Sequence, residues 1–129
     1  DPTTSRSAGM SLTPLTAMSP VDGRYAARCD KLRELFSEAG LIRARVRVEV
    51  AWLRALAAHP GIPEMDGLSE QELAAAAALG DGFTDADADS VKAIERDTNH
   101  DVKAVEYHIK RKLEQYEGWK SRLEIVHFA

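Results

Sequence analysis

A histidine stands between an amide and a carboxylate in the segment IERDTNHDVKAVEY, residues 94–107. Apolar residues at helical spacing after this polar centre predict that a helix begins near His100. The first turn of a helix offers unpaired N–H groups and about half a positive charge, and an imidazole adds a group that titrates near neutral pH. The stretch from Thr98 to Asp101 is therefore a candidate anion site, although a simple helix cap fits the same residues.

A second polar cluster follows Ser19-Pro20 in the sequence SPVDGRY. Asp22-Gly23 is a turn signal, and glycine can adopt a positive φ at low cost. Such a turn presents the planar donors of Arg24, which suit a phosphate or a carboxylate, together with the hydroxyl of Tyr25. The alternative is a surface turn that leads into a helix.

Other kinds of chemistry find less support in the sequence. His100, Asp101 and His108 lack the i, i+4 pairing of a zinc-binding helix, and the chain has no CxxC motif, so we expect no metal site. The sequence indicates no nucleophile–base pair. His59 and His127 are interpreted as structural, because one precedes a proline and the other lies in an apolar run.

The elements that would position these residues are predicted to be helices. Alternation of Val46, Val48 and Val50 with charged residues is typical of a strand, but the window from Leu41 to Ala58 carries two adjoining apolar stripes at helical spacing and no glycine or proline. We therefore predict one long helix there. Both stripes are expected to be apolar faces: Leu41, Ala44, Val48, Ala51 and Ala55 on one, and Ile42, Val46, Val50, Leu53 and Ala57 on the other.

The remaining segments predict a series of shorter helices. They are Arg28 to Phe36, a helix from the Ser69 capping box through Leu79 that Gly80 and Gly82 close, one opened by Thr84, one from Asp101 to Tyr116 with Thr98 and Asp101 at capping-box spacing, and a short one from Trp119 to Phe128. No segment predicts a convincing strand. The fold class is therefore all-α, with long helices and short connections.

Length and composition suit one domain in a soluble protein. The chain has 129 residues, 44% hydrophobic, with a net charge of −4, which gives no broad basic surface for nucleic acid and no segment for a membrane span. The single cysteine, Cys29, fits a reducing cytosol. Residues 1–9 are interpreted as an expression remnant or a disordered arm, which leaves 10–129 as the domain.

Three strings then resemble a known family. LTAMSPVDGRYAARCDKLRELFSEAGLIRARVRVEVAWLRALAAH, IERDTNHDVKAVEYHIK and EIVHFA, in this order, closely resemble the N-terminal part of the adenylosuccinate lyase family, in the bacterial-type branch of the fumarase/aspartase superfamily. The likeness runs from Leu15 to Ala129 and is weakest between Ile62 and Asp89. It implies an N-terminal helical domain cut before or at the start of a central helix bundle.

The resemblance also implies an activity. Members of that family release fumarate from adenylosuccinate, giving AMP, and from succinylaminoimidazole carboxamide ribotide, in purine biosynthesis. They are cytoplasmic homotetramers with active sites shared between subunits, and they need no metal or organic cofactor. The implied partner is thus a nucleotide substrate with a succinyl group, with no nucleic acid and no membrane.

By the same resemblance, Arg24, Tyr25, Asn99, His100 and Asp101 match substrate contacts of the family. Its catalytic serine base and histidine acid lie on segments after the matched ones, so the 129-residue chain is expected to be inactive. His100 is assigned to binding, and an assisting role in proton transfer is left open. Two alternatives remain at this point: another fumarate-releasing lyase, such as one acting on argininosuccinate, or a non-catalytic helical assembly module.

Overall fold

The structure is a computed structural model that describes residues 9–127. The arm expected at residues 1–9 falls outside the described residues except for Gly9, and so does the end of the last predicted helix at Phe128. The chain divides into two compact units, the first ending at Ser37 and the second beginning at Glu38.

The first unit contains short helical segments. Two 3₁₀ turns, Pro20–Asp22 and Ala26–Cys29, precede helix α1, Asp30–Phe36, which confirms the predicted helix in this region. Gly23 has a negative φ of −117°, so this turn does not use the positive φ that glycine allows. A glycine is favoured here for a different reason: a Cβ atom would lie 2.8 Å from the carbonyl oxygen of Pro14.

The second unit holds five helices among its described residues. They are α2 Glu38–Ala58, α3 Glu70–Asp81, α4 Asp85–Thr98, α5 Asp101–Leu113 and α6 Glu117–Lys120, with 3₁₀ turns at Pro63–Met65 and Leu123–Ile125. No β-strand occurs within residues 9–127. The all-α class is therefore confirmed, and short connections join long helices as expected.

Helix α2 confirms the helical interpretation of the valine-rich segment. Its Ile42, Val46 and Leu53 are buried in the core, as one of the two predicted stripes requires. The other stripe is not buried: Leu41 keeps 49% of its surface exposed and Val48 keeps 64%. Two apolar stripes were predicted, and the neighbouring helices cover only one of them.

Helix α3 begins with the predicted capping box. The N–H of Ser69 donates to the carboxylate of Glu72 at 2.9 Å, and the N–H of Glu72 donates to the Ser69 hydroxyl at 3.1 Å. Gly80 was predicted to end the helix, but it lies inside the helix and is buried. Its lack of a side chain lets Arg47 of α2 pack closely, because a Cβ atom there would be 3.1 Å from Arg47 Cγ. Gly82 caps the helix.

The boundary between α4 and α5 differs from its prediction. Thr98 is the last residue of α4, and the residue that caps α5 is His100, so the predicted capping box of Thr98 with Asp101 is wrong. Between them Asn99 takes a left-handed conformation, with φ 51°, which asparagine tolerates better than most residues. The chain thereby turns from one helix into the next in two residues.

The predicted ends of the later helices are also corrected. Helix α5 ends at Leu113 rather than Tyr116, and the segment after it is divided into α6 and a 3₁₀ turn rather than one helix. This segment still reaches the core, because the side chains of Trp119 and Val126 are fully buried. The indole N–H of Trp119 donates to the carbonyl oxygen of Glu72 at 2.8 Å, so its burial leaves no donor unsatisfied.

Helix pairs α2–α3 and α4–α5 make the most extensive contacts of the second unit, and α5 also packs on α2. The apolar side chains of α2, α4 and α5 meet in one core: Val46, Val50, Leu53, Val91, Ile94, Val105, Ile109 and Leu113. This packing fixes the start of α5, where the candidate site lies. Within residues 9–127, no helix combines the length and apolar character that crossing a membrane requires.

Candidate functional site

His100 caps helix α5 with its own imidazole. Its backbone is extended, and Nδ1 accepts a hydrogen bond from the N–H of Lys103 at 3.1 Å. A neutral imidazole that accepts at Nδ1 carries its proton on Nε2. The N–H of Val102 likewise donates to Asp101 Oδ1 at 2.8 Å. Two of the helix-end donors that the sequence offered to an anion are thus satisfied by the protein's own side chains.

Asp101 and Asn99 also have structural partners. Asp101 Oδ2 lies 2.8 Å from Arg45 Nη1, so this carboxylate ties the start of α5 to α2. The hydrogen bond from Arg45 is the main reason why the pKa of Asp101 is lowered, and the N–H of Val102 adds to the effect. Asn99 donates its backbone N–H to Glu95 at 2.7 Å and supplies the left-handed cap of α4. Both side chains are exposed beside His100.

An open cavity of about 660 Å³ lies against the start of α5. The residues around it include two histidines, a lysine, a glutamate and a tyrosine hydroxyl: Thr98, His100, Val102, Lys103, Glu106, Tyr107 and His127. The structure therefore brings His127 to the same cavity as His100, although the sequence interpretation made His127 structural. Imidazole and ammonium groups around one cavity suit an anionic ligand.

Glu106 links a lysine and a histidine of this cavity. Its Oε2 lies 2.7 Å from Lys103 Nζ, and its Oε1 lies 3.0 Å from His127 Nδ1. Glu106 itself is only 2% exposed, whereas the His127 side chain is 69% exposed. The hydrogen bond to Glu106 raises the pKa of Lys103, so the ammonium stays charged at neutral pH. A buried carboxylate thus contacts two other residues that line the cavity.

A second buried carboxyl group lies near that of Glu106. Glu49 of α2 is 1% exposed, and it accepts a hydrogen bond from the backbone N–H of His127. Its Oε1 has no hydrogen-bond partner within residues 9–127. Burial raises the pKa of Glu49 to about 7, and the charge of Glu106 adds to the rise while the His127 N–H opposes it. At neutral pH, Glu49 is therefore protonated in a large fraction of molecules.

In the first unit, Arg24 and Tyr25 form a stacked pair. The Arg24 guanidinium carbon lies 4.8 Å from the centre of the Tyr25 ring, and that of Arg28 lies 5.7 Å away. Both Arg24 and Tyr25 are exposed. Contact between a guanidinium and an aromatic face orients the donors of Arg24 while leaving them open to a ligand. This arrangement agrees with the predicted presentation of Arg24 at the surface.

Comparison with known proteins supplies the decisive observation. Over 120 residues, which is 93% of this chain, the sequence is 47% identical to the adenylosuccinate lyases of Escherichia coli (strain K12) and Haemophilus influenzae, and 42% identical to that of Legionella pneumophila (strain Corby). The chain is therefore similar to adenylosuccinate lyases over nearly its whole length. It spans about a quarter of the length of these relatives, 26%. No family model matches the chain.

The cavity beside His100 contains residues that the sequence analysis identified and others that it did not. The sequence pointed to His100 and to its neighbours in TNHD, but not to Lys103, Glu106 or His127. One signal was present: Lys103, Glu106 and Tyr107 follow His100 at spacings that place them on one side of a helix. His127 carried no such signal, because its position depends on the fold of the chain after α5.

Proposed function

We propose that this chain forms part of an adenylosuccinate lyase. The whole enzyme would cleave adenylosuccinate into AMP and fumarate, and succinylaminoimidazole carboxamide ribotide into aminoimidazole carboxamide ribotide and fumarate. The observation that carries the proposal is the similarity over 93% of the chain to enzymes of that name. The cavity at the start of α5 supports it, because its imidazole and ammonium groups suit a substrate with a phosphate and two carboxylates.

The reaction is a β-elimination, which needs a base, stabilisation of negative charge and an acid for the departing nitrogen. Residues of this chain would bind and orient the substrate. Arg24 and Tyr25 offer a guanidinium and a hydroxyl, and His100 offers the Nε2–H group left free by its capping bond. Asn99 and Asp101 belong to the same proposed contact set. Asp101 also pairs with Arg45, so Asp101 anchors this turn as well.

Proton transfer would depend on residues outside these 129. The serine base and histidine acid expected for the family have no matching positions in the sequence, so we propose that this chain alone does not release fumarate. His100 assists binding, with any help to proton transfer secondary. The complete enzyme would be a cytoplasmic homotetramer with active sites shared between subunits, and it would need no metal or organic cofactor.

The test is calorimetry of AMP and adenylosuccinate with the complete polypeptide that contains this segment. The variants are Arg24→Ala and His100→Ala, with Arg111→Ala and His59→Ala as exposed controls of the same residue types. Loss of a hydrogen bond to a charged ligand group weakens binding by roughly tenfold or more. We expect that loss for the first two variants only. Equal binding by all four would favour a helical assembly module instead.

A parallel measurement follows fumarate release. The complete polypeptide is expected to release fumarate from adenylosuccinate, and the 129-residue chain is expected to release none. Cleavage of argininosuccinate but not of adenylosuccinate by the complete polypeptide would replace this proposal with another lyase of the superfamily. Fumarate release by the 129-residue chain would show that its own residues supply the base and the acid.

A further inference from the structure

Three of the four histidines have hydrogen-bond partners that decide which ring nitrogen carries the proton. At His100, Nδ1 accepts the N–H of Lys103 at 3.1 Å. At His59, Nδ1 accepts the N–H of Gly61 at 3.0 Å. An imidazole nitrogen that accepts a hydrogen bond has no proton, so both neutral rings carry theirs on Nε2. The capping role of His100 therefore makes its remaining nitrogen a donor.

His127 has the opposite kind of partner. Its Nδ1 lies 3.0 Å from Oε1 of Glu106, which is a carboxylate oxygen and can only accept when ionised. The ionised state of Glu106 is supported by Lys103, whose ammonium lies 2.7 Å from the other oxygen. Nδ1 of His127 must then be the donor. A neutral His127 keeps its lone pair on Nε2, which makes that nitrogen an acceptor.

The main chain of His127 is fixed as well. Its backbone N–H donates to Glu49, and the residue before it, Val126, is fully buried. Carboxyl groups from two packed helices, Glu49 from α2 and Glu106 from α5, thus hold one residue at its backbone and at its ring. The groups that face Glu49 are Glu106 and His127, and the cation nearest to Glu106 is Lys103. The ring is anchored without being buried.

We propose that the two imidazoles of the cavity are held in opposite tautomers. His100 is a hydrogen-bond donor through Nε2, whereas His127 is an acceptor through Nε2. Glu106 is the residue that positions His127. A pair of this kind fits a ligand group that both accepts and donates a hydrogen bond, such as a hydroxyl. It also leaves His127 Nε2 able to take up a proton. The inference deepens the proposed function and rests on it only for the identity of the ligand.

The tautomers can be measured directly on the 129-residue chain by long-range ¹H–¹⁵N correlation spectra of the imidazole rings. The spectra are recorded at about pH 8.5, well above the ordinary histidine pKa of roughly 6.5. We expect the Nε2–H form for His59 and His100 and the Nδ1–H form for His127. His59 serves as an internal reference for the Nε2–H pattern in the same spectrum. An Nε2–H pattern at His127 in the unmodified chain would overturn the proposal.

Variants of Glu106 test whether this residue sets the tautomer. Glu106→Met removes the acceptor, so His127 should change to the Nε2–H form that a free imidazole prefers. Glu106→Gln leaves one oxygen for two donors. With that oxygen on Lys103, the amide NH2 faces Nδ1 of His127 and should also favour the Nε2–H form. Glu114→Met makes the same change at an exposed glutamate and should leave all the rings as they were. If Glu106→Met fails to fold, Glu106→Gln and the unmodified chain still decide the question.

The outcomes separate this inference from the proposed function. An unchanged His127 pattern in a folded Glu106→Met variant would remove Glu106 from its positioning role whatever the enzyme binds. If the 129-residue chain shows opposite tautomers but the complete polypeptide binds no AMP, the proposed geometry stands and the proposed nucleotide ligand is refuted. The spectra are recorded without nucleotide, so neither result depends on turnover.

Discussion

Two nearly fully buried side chains, Glu49 and His108, respond to pH in opposite directions. Burial favours the neutral form of each: it raises the pKa of Glu49 to about 7 and lowers the pKa of His108, against the opposing charge of Asp87. The stability from Glu49 is fully present below its unfolded pKa of about 4.5 and is lost as the pH rises through about 7. The stability from His108 is present above about 6.5 and is lost as the pH falls.

Replacing Glu49 by glutamine should remove the alkaline part of this dependence. The Glu49→Gln side chain cannot ionise, yet its carbonyl oxygen can still accept the N–H of His127. Above about pH 7, where ionised Glu49 is a buried charge, the variant should be more stable than the unmodified chain by about 1 kcal/mol or more. Urea denaturation at about pH 5 and about pH 8 measures the difference.

The exposed Glu114→Gln variant is the control, and it should follow the unmodified chain at both pH values. An identical pH dependence for Glu49→Gln and the unmodified chain would mean that Glu49 remains ionised in the folded protein. In that case a cation would have to compensate for the negative charge of Glu49. The comparison therefore tests the burial argument apart from any function.

The candidate site shows which individual residues a sequence can identify and which it cannot. His100 was identified because it stands in a helix-starting segment that the chain itself encodes. Its capping role was missed, because histidine is not among the preferred N-cap residues and Thr98 offered the better template. His127 and Glu49 were missed because they come together only through packing, and one histidine among apolar neighbours is usually structural.

At the scale of elements, one carboxylate joins the first turns of α3 and α6. Glu72 accepts the N–H of Ser69 at 2.9 Å and the N–H of Gly118 at 2.7 Å. These two bonds, in that order, are the main reasons why the pKa of Glu72 is lowered. The same residue accepts the indole N–H of Trp119 at its carbonyl oxygen. A capping box predicted from local sequence thus also holds a distant helix.

Gly118→Ala should break this link. A Cβ atom at residue 118 would overlap both carboxylate oxygens of Glu72, so the carboxylate must leave the Gly118 N–H. We expect thermal unfolding, followed by circular dichroism, to shift down by a few degrees. In a Glu72→Ala background the clash is absent, and the glycine change should then cost much less. Additive effects of the two changes would show that the link contributes nothing.

Helix α2 shows how much of a secondary-structure element can be predicted from its sequence. Helical spacing over Leu41 to Ala58 was enough to decide between helix and strand. The helical spacing did not decide which of its two stripes faces the core, because every position in both is apolar and the choice is made by where α3 and α5 pack. Leu41 and Val48 remain exposed on the other side. Local spacing therefore predicts the element, and the partners decide its buried face.

At the scale of the whole molecule, buried structure is confined to one part of the chain. Every fully buried apolar side chain in the described range lies in the second unit, and no residue from 9 to 37 is buried. Burial of apolar surface is the dominant favourable term in folding. We therefore expect the stability of the chain to come from the core of α2, α4 and α5.

Three alanine substitutions test this expectation, with Leu53 in the core and Leu41 and Phe36 outside it. Leu53→Ala removes a side chain with no exposed surface and should lower the free energy of unfolding by about 2–5 kcal/mol. Leu41→Ala and Phe36→Ala remove side chains that are 49% and 83% exposed and should cost about 0.5 kcal/mol. Urea denaturation followed by the fluorescence of buried Trp119 measures all three. A cost for Leu41→Ala or Phe36→Ala as large as that for Leu53→Ala would mean that a neighbouring copy covers the exposed side chain in solution, which sedimentation at several concentrations would then detect.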